Sequence, residues 1–234
     1  MYNLNYYDIL SAFLISFLPS PILQTLDFIP FYRNTVNMKD TNEHYSHKMP
    51  HSNKPLLKPI KERFSPRVFS DEPIAEEHIQ TILEAARLTP SARNLQPWYF
   101  YYSHKGSQGY AKLLKGIPDM NRWCETAPLL ILATYDESSP DGDINQWARY
   151  DLGAACMSLV LQAQSMGYYS RQIGLFDAGV VKNELNLPTS RIACVIIAIG
   201  KLGTTHDWDK VGEAHREKEK KGWERKDAVG ERLG

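Results

Sequence analysis

Two short stretches carry more fixed polar chemistry than a connecting segment needs. The first is Arg63-Phe64-Ser65-Pro66-Arg67. In an extended segment side chains repeat every two residues, so Arg63, Ser65 and Arg67 share one side. Two permanently charged guanidiniums flanking a hydroxyl form a clamp for a phosphate or another oxyanion, which guanidinium binds through paired N–H groups. A solvated basic strand edge is the alternative. The second is Thr89-Pro90-Ser91-Ala92-Arg93-Asn94-Leu95-Gln96-Pro97-Trp98. Pro90 and Pro97 fix the backbone at both ends, so the polar groups between them are positioned in advance. Rigid polar loops of this kind often hold ligands. An ordinary turn is the alternative.

The elements that must position these stretches are legible from periodicity. Pro73–Leu88 places Ile79, Ile82, Leu83 and Ala86 on one helical face, with Asp71 and Pro73 as start signals and Pro90 as a stop. Trp98–Ser103 reads as an aromatic strand. Leu129–Tyr135 and Arg191–Gly200 read as strands buried on both faces. Ile144–Met166 is predicted as a long helix ended by Gly167 in a left-handed cap. It is apolar nearly all round between Leu152 and Ala163, as a central or interface helix must be. Asp177–Leu185 is a short capped helix. Gly212–Lys226 is Lys/Glu-rich with pairs such as Glu217–Lys221 and reads as a solvated surface helix. Residues 103–120 read as loop bordering a pocket. Helices and strands interleave, which gives an α+β class: a mixed, mainly antiparallel sheet flanked by helices.

Composition narrows the function. The chain has 234 residues, enough for one domain plus a modest extension. Lys plus Arg and Asp plus Glu are 27 each, so the net charge is zero and a general basic surface for nucleic acid is not expected. Cys124, Cys156 and Cys194 lie far apart, which argues against a disulfide framework or a thiolate zinc site and for buried thiols in a reducing, cytoplasmic setting. Cys156 reads as packing, and His78 and His104 as surface residues. Residues 1–56 read as an N-terminal extension before a domain at 57–234. Its apolar run Ile9–Leu18 falls short of the ~20 residues of a membrane span, and a signal peptide or anchor is not expected. Residues 34–56 read as a polar linker, and His44, His47 and His51 as part of a solvated tail rather than as metal ligands. A true start at Met38 or Met49 is a further possibility.

The two polar stretches together resemble the FMN-dependent nitroreductase family. The match to R-x-S-x-R is Arg63, Ser65 and Arg67, and the match to P-S-x-x-N-x-Q-P-W is Pro90, Ser91, Asn94, Gln96, Pro97 and Trp98. A third matching stretch runs Asp151, Gly153, Ala155, then Met166-Gly167-Tyr168, then Gln172-Ile173-Gly174-Leu175-Phe176-Asp177. The resemblance implies homodimers with two FMN sites at the subunit interface and the long helix at the dimer core. It implies that Arg63 and Ser65, with Phe64 between them, hold the FMN phosphate, and that Arg67 lies beside the flavin N1/O2 edge. Pro90, Ser91, Ala92 and Asn94 would reach across from the other subunit. Asn121 would read the pyrimidine edge, and Gly174 and Leu175 would face N5. Arg225, with Lys226, would complete the phosphate site. No catalytic side chain is expected, because the flavin carries the hydride from NAD(P)H by ping-pong turnover to a small electron-poor acceptor such as a nitroaromatic or quinone. A cation at Arg67 would stabilise the charge of the reduced flavin. Related flavoenzymes performing dehalogenation, ene reduction or flavin breakdown, and a flavin-binding protein of low activity, are the alternatives. Three departures stand out: Leu175 replaces a glycine common in relatives, Pro66 removes a backbone donor from the clamp, and the residues around Arg225 fit poorly.

Overall fold

The computed structural model describes residues 45–49, 51–222 and 225. The strands are β1 (Trp98–His104), β2 (Leu129–Asp136), β3 (Tyr169–Ile173) and β4 (Arg191–Gly200). They form one sheet in the order β1-β2-β4-β3, and every neighbouring pair is antiparallel. The helices are α1 (Lys58–Glu62), α2 (Glu76–Arg87), α3 (Gln108–Lys115), α4 (Ala148–Ser165), α5 (Ala178–Glu184), α6 (Thr205–Trp208) and α7 (Glu213–Glu219). The α+β class therefore holds.

The unbroken apolar runs of β2 and β4 arise because each strand feeds two cores. Leu130 and Leu132 of β2, with Ile196 and Ala198 of β4, join one core with Phe69, Tyr110, Trp123 and Trp208. Leu129, Ile131 and Ala133, with Ile197 and Ile199, join the other with Ile79 and Ile82 of α2 and Leu152 and Leu159 of α4. Alternate residues point to opposite faces, so a sheet covered on both sides shows no polar alternation.

The long helix begins at Ala148 rather than at Ile144. Asn145 holds the preceding turn: its backbone N–H donates to Glu137 O (2.6 Å), and its Oδ1 accepts from the Trp147 N–H (3.1 Å). The helix ends as expected. Gly167 sits at φ +81°, its N–H donates to Gln164 O, and the Tyr168 N–H reaches back to Ala163 O (2.9 Å). That pair of bonds is a Schellman cap, which needs the left-handed residue glycine tolerates. Region 103–120, expected as loop, contains α3.

Two further expectations change. Tyr45–Met49 is not solvated linker: Tyr45 is buried, stacks on Phe64 (5.5 Å) and accepts a hydrogen bond from Trp208 Nε1 (3.0 Å). Nor is α7 solvated all round, because Glu219 is fully buried. The charge run concealed one carboxylate with buried cationic partners. The sequence readings of the apolar run 9–18 and of His44 fall outside the described residues. Among the described residues no helix is long and apolar enough to cross a membrane, and no group of His, Cys, Asp or Glu could hold a metal ion.

Candidate functional site

The Arg63–Arg67 segment leaves α1 extended and is pinned to the chain after β4. The Gly203 N–H donates to Val68 O (3.1 Å), and the Ser70 N–H to Lys201 O (3.0 Å). A Cβ at Gly203 would lie 2.6 Å from Val68 Cγ1 and 3.1 Å from its carbonyl carbon, so glycine is what allows this approach. Alternation holds from Arg63 to Pro66 but not at Arg67, which is buried and does not share the side of Arg63 and Ser65 in lining the cleft. Phe64 and Pro66 turn inward, and Phe64 packs between Tyr45 and Tyr169. Arg63 and Ser65 face an open cleft of about 330 Å³ completed by Met157 and Val160 of α4 and by Ser170, Arg171 and Gln172 of β3. The side chain of Phe64 is thus part of the core and only its backbone is available to a ligand.

Arg67 lies deeper. Its backbone N–H donates to Glu219 Oε1 (3.0 Å), and its guanidinium stands 3.7 Å from Glu219 Oε2. Lys48 Nζ is 3.4 Å from the same oxygen. Arg171 donates to Ser65 O (2.6 Å) and lies over the Trp123 ring. Sequence reasoning missed Lys48, Arg171 and Glu219. Only Arg171 carried a signal, one residue before the Gln172-Ile173-Gly174 run. Arg225 stands close enough to Arg63 for the two charges to repel.

Positive charge here exceeds its compensation. Burial, then repulsion from Arg225, holds Arg63 below the ordinary guanidinium range. Burial, then Arg67, pushes Arg171 down to about 10. Burial lowers Lys48 despite Glu219, and lowers Arg67 likewise. Burial is the first cause in every case, and Glu219 is the carboxylate that opposes it for Lys48, Arg67 and Arg171. Arg67 Nη1 is buried without a hydrogen bond, held only by the longer ion pair with Glu219, and His215 Nδ1 on α7 is buried without a hydrogen-bond partner. A buried donor without a hydrogen bond costs about 1–3 kcal/mol, part of which an oxyanion reaching Arg67 would recover.

Beyond Gln172 the chain runs through Gly174 and Leu175. A Cβ at Gly174 would meet nothing within 4 Å, so this backbone borders open space. Asn121 steadies it: Nδ2 donates to Leu175 O (3.0 Å), and Oδ1 accepts from Trp123 Nε1 (3.2 Å). The structure therefore brings Asn121 and Leu175 together.

The proline-bracketed loop lies elsewhere in the chain. Arg93, Asn94 and Gln96 all adopt positive φ, at 52°, 55° and 47°. This costly backbone is held by Ser91 Oγ, which accepts from the Gln96 N–H (2.9 Å), and by Asp151 Oδ2, which accepts from the Ala92 N–H (3.1 Å). Ala92 and Arg93 line a second cleft, of about 340 Å³, with Ile144, Asn145, Gln146 and Trp147. The two clefts share no residue. Trp147 and Met157 are ten positions apart, roughly 15 Å along a helix axis. Between them α4 exposes Tyr150, Gly153 and Met157.

Comparison with known proteins bears on this arrangement. The model of the Nitroreductase family matches residues 60–117 and 120–201. A protein of Archaeoglobus fulgidus that bears the provisional name NADH dehydrogenase/NAD(P)H nitroreductase is 28% identical over 148 residues, covering 62% of this chain and 83% of its own length. A solved oxidoreductase containing FMN superposes with a TM-score of 0.67 at 30% identity, covering 73% of this chain and 87% of that one. An FMN-dependent nitroreductase from Clostridium difficile superposes at 0.53 with 25% identity, covering 67% and 98%.

Proposed function

Because this chain belongs to the nitroreductase family of oxidoreductases, we propose that it binds FMN, takes reducing equivalents from NAD(P)H and delivers them to an electron-poor small molecule such as a nitroaromatic or quinone, working as a homodimer in the cytoplasm. The observation that carries this reading is the under-compensated cationic cleft. The clefted Arg63, Ser65 and Arg171, with buried Arg67 behind them, whose Nη1 faces Glu219 at 3.7 Å without a hydrogen bond, suit a dianionic phosphate such as that of FMN. Bound FMN would supply the two-electron chemistry.

The chain's own residues would do the rest. Arg63 and Ser65 bind the phosphate, and Arg225 adds a further cation beside Arg63. Arg67 offers positive charge where the reduced cofactor gains negative charge. Asn121 holds the Gly174–Leu175 backbone, whose N–H groups would face the ring. Leu175, 59% exposed, narrows the space above it. Pro90, Ser91, Ala92 and Asn94 belong to a loop that, within one chain, borders the other cleft through Ala92 and Arg93. A second copy packed over Tyr150, Gly153 and Met157 of α4 would carry them to the Arg63 cleft, and the absence of a side chain at Gly153 suits close helix approach. Residues 1–56 are proposed as an N-terminal extension of the domain at 57–234, with Tyr45–Met49 packed on that domain.

The test is retention of flavin. Protein supplied with FMN and desalted should keep a yellow chromophore, release FMN on denaturation and bleach when NADH or NADPH is added under nitrogen. Colourless protein after desalting ends the proposal. A retained colour that neither nicotinamide bleaches makes it a binding protein instead.

A further inference from the structure

The second cleft contains donors that the reading above does not use. Arg93 is exposed, and among the described residues it makes no hydrogen bond or ion pair. Asn145 is 5% exposed, and its Nδ2 is buried without a partner although its Oδ1 is engaged by the Trp147 N–H. A buried amide N–H₂ left unpaired is unfavourable, and here it belongs to a residue lining an open cleft. Trp147 is 60% exposed and touches Tyr150 only edge-on, at 81°, so it offers a ring for stacking. No carboxylate lines the cleft. Asp151, which is tied to the loop, is buried and occupied by the Ala92 N–H. Guanidinium, amide N–H₂ and indole together select a flat ring that carries an oxygen-rich anionic group.

We infer that the cleft formed by Arg93, Asn145 and Trp147 is a recognition site for an aromatic ring bearing an anionic oxygen substituent, and that it biases this enzyme toward anionic substrates. The inference rests on the FMN reading for its place beside the reaction. The same loop carries Asn94, proposed to reach the partner's cofactor, so a ligand held here would lie next to the reacting ring. Two substrates share this chemistry. One is an aromatic acceptor with a carboxylate, and the other is the 2′-phosphoadenosine end of NADPH.

Binding, measured by calorimetry on the full chain loaded with FMN, tests this without turnover. One arm compares 4-nitrobenzoate with nitrobenzene. The other compares adenosine 2′-phosphate with adenosine. In at least one arm the anionic probe should bind about tenfold or more tightly than its neutral partner, as one charge-assisted contact allows. Arg93→Gln should abolish that preference while leaving the neutral probe unchanged, and Arg93→Lys should restore part of it. Asn145→Asp keeps the Oδ1 acceptor but replaces the Nδ2 donor with a second oxygen, so in folded protein it should weaken the anionic probe more than the neutral one. The arm that responds identifies which substrate the cleft serves. Equal binding of anionic and neutral probes in both arms, or an Arg93→Gln loss shared by the neutral probes, overturns the inference. Failure of the protein to take up FMN would instead overturn the proposed function, so the two failures are distinguishable.

Discussion

Glu219 shows how much one side chain can carry without announcing itself. It is the carboxylate that faces Lys48 and Arg67, and it is fully buried. In sequence it sits in a Lys/Glu run that reads as solvated surface, because nothing local marks which member of the run turns inward. Arg63 and Ser65 were legible for the opposite reason: an extended segment enforces alternation on its own. Removing the charge at Glu219 leaves buried cations opposed only by one another, and breaking a buried pair typically costs about 3–5 kcal/mol. Glu219→Gln should therefore lower the urea midpoint markedly, and inorganic phosphate should stabilise the variant more than the wild type by supplying the missing charge. Equal phosphate stabilisation of both proteins would show that the cluster does not seek an anion. His215 adds a pH dependence. Burial first, then Arg67, Lys218 and Arg171, hold it below its ordinary 6.5. Its folded pKa is depressed, so below 6.5 the unfolded chain takes up a proton that the folded chain resists, and stability falls toward acid. Thermal unfolding at descending pH should show a steeper loss for wild type than for His215→Gln. Parallel curves would remove His215 from the account.

At the scale of elements, the proline-bracketed loop and the start of α4 form one unit. Pro90 and Pro97 made rigidity legible, but not the three left-handed residues inside, because arginine and glutamine carry no local preference for positive φ. That geometry is enforced from outside the loop by Asp151, which lies on α4 and accepts the Ala92 N–H. A separate bond accounts for the late helix start: Asn145 Oδ1 accepts from the Trp147 N–H in the turn that precedes Ala148. Asp151→Ala should remove a charge-assisted bond worth about 1.5–3 kcal/mol. The backbone amides of Ala92–Gln96 should then exchange with deuterium faster, while those of β2 stay protected. Unaltered exchange in the loop would show that Ser91 and the prolines suffice to hold it.

For the whole molecule, the interleaving of helices and strands made the α+β class legible, and the apolar runs located the two central strands. The docking of Tyr45 was not legible, because its partners Phe64 and Trp208 lie far along the chain and only the folded sheet brings them together. The same principle extends past the single chain. Arg63 lines one cleft and Arg93, beside Asn94 on the proline-bracketed loop, lines another that shares no residue with it; under the proposed function a second copy would bring Arg63 and Asn94 to one cofactor. Mixed dimers make that testable. Chains carrying Arg63→Ala under one tag and Asn94→Ala under another, purified through both tags, would have one site with both defects and one site with neither. Such dimers should retain about half the FMN of wild type at unchanged affinity, whereas each variant's own homodimer binds weakly at both sites. If cofactor and loop instead belonged to the same chain, each mixed dimer would hold two singly damaged sites and no tight binding at all. The titration endpoint therefore decides between the two assemblies without requiring an assay of turnover.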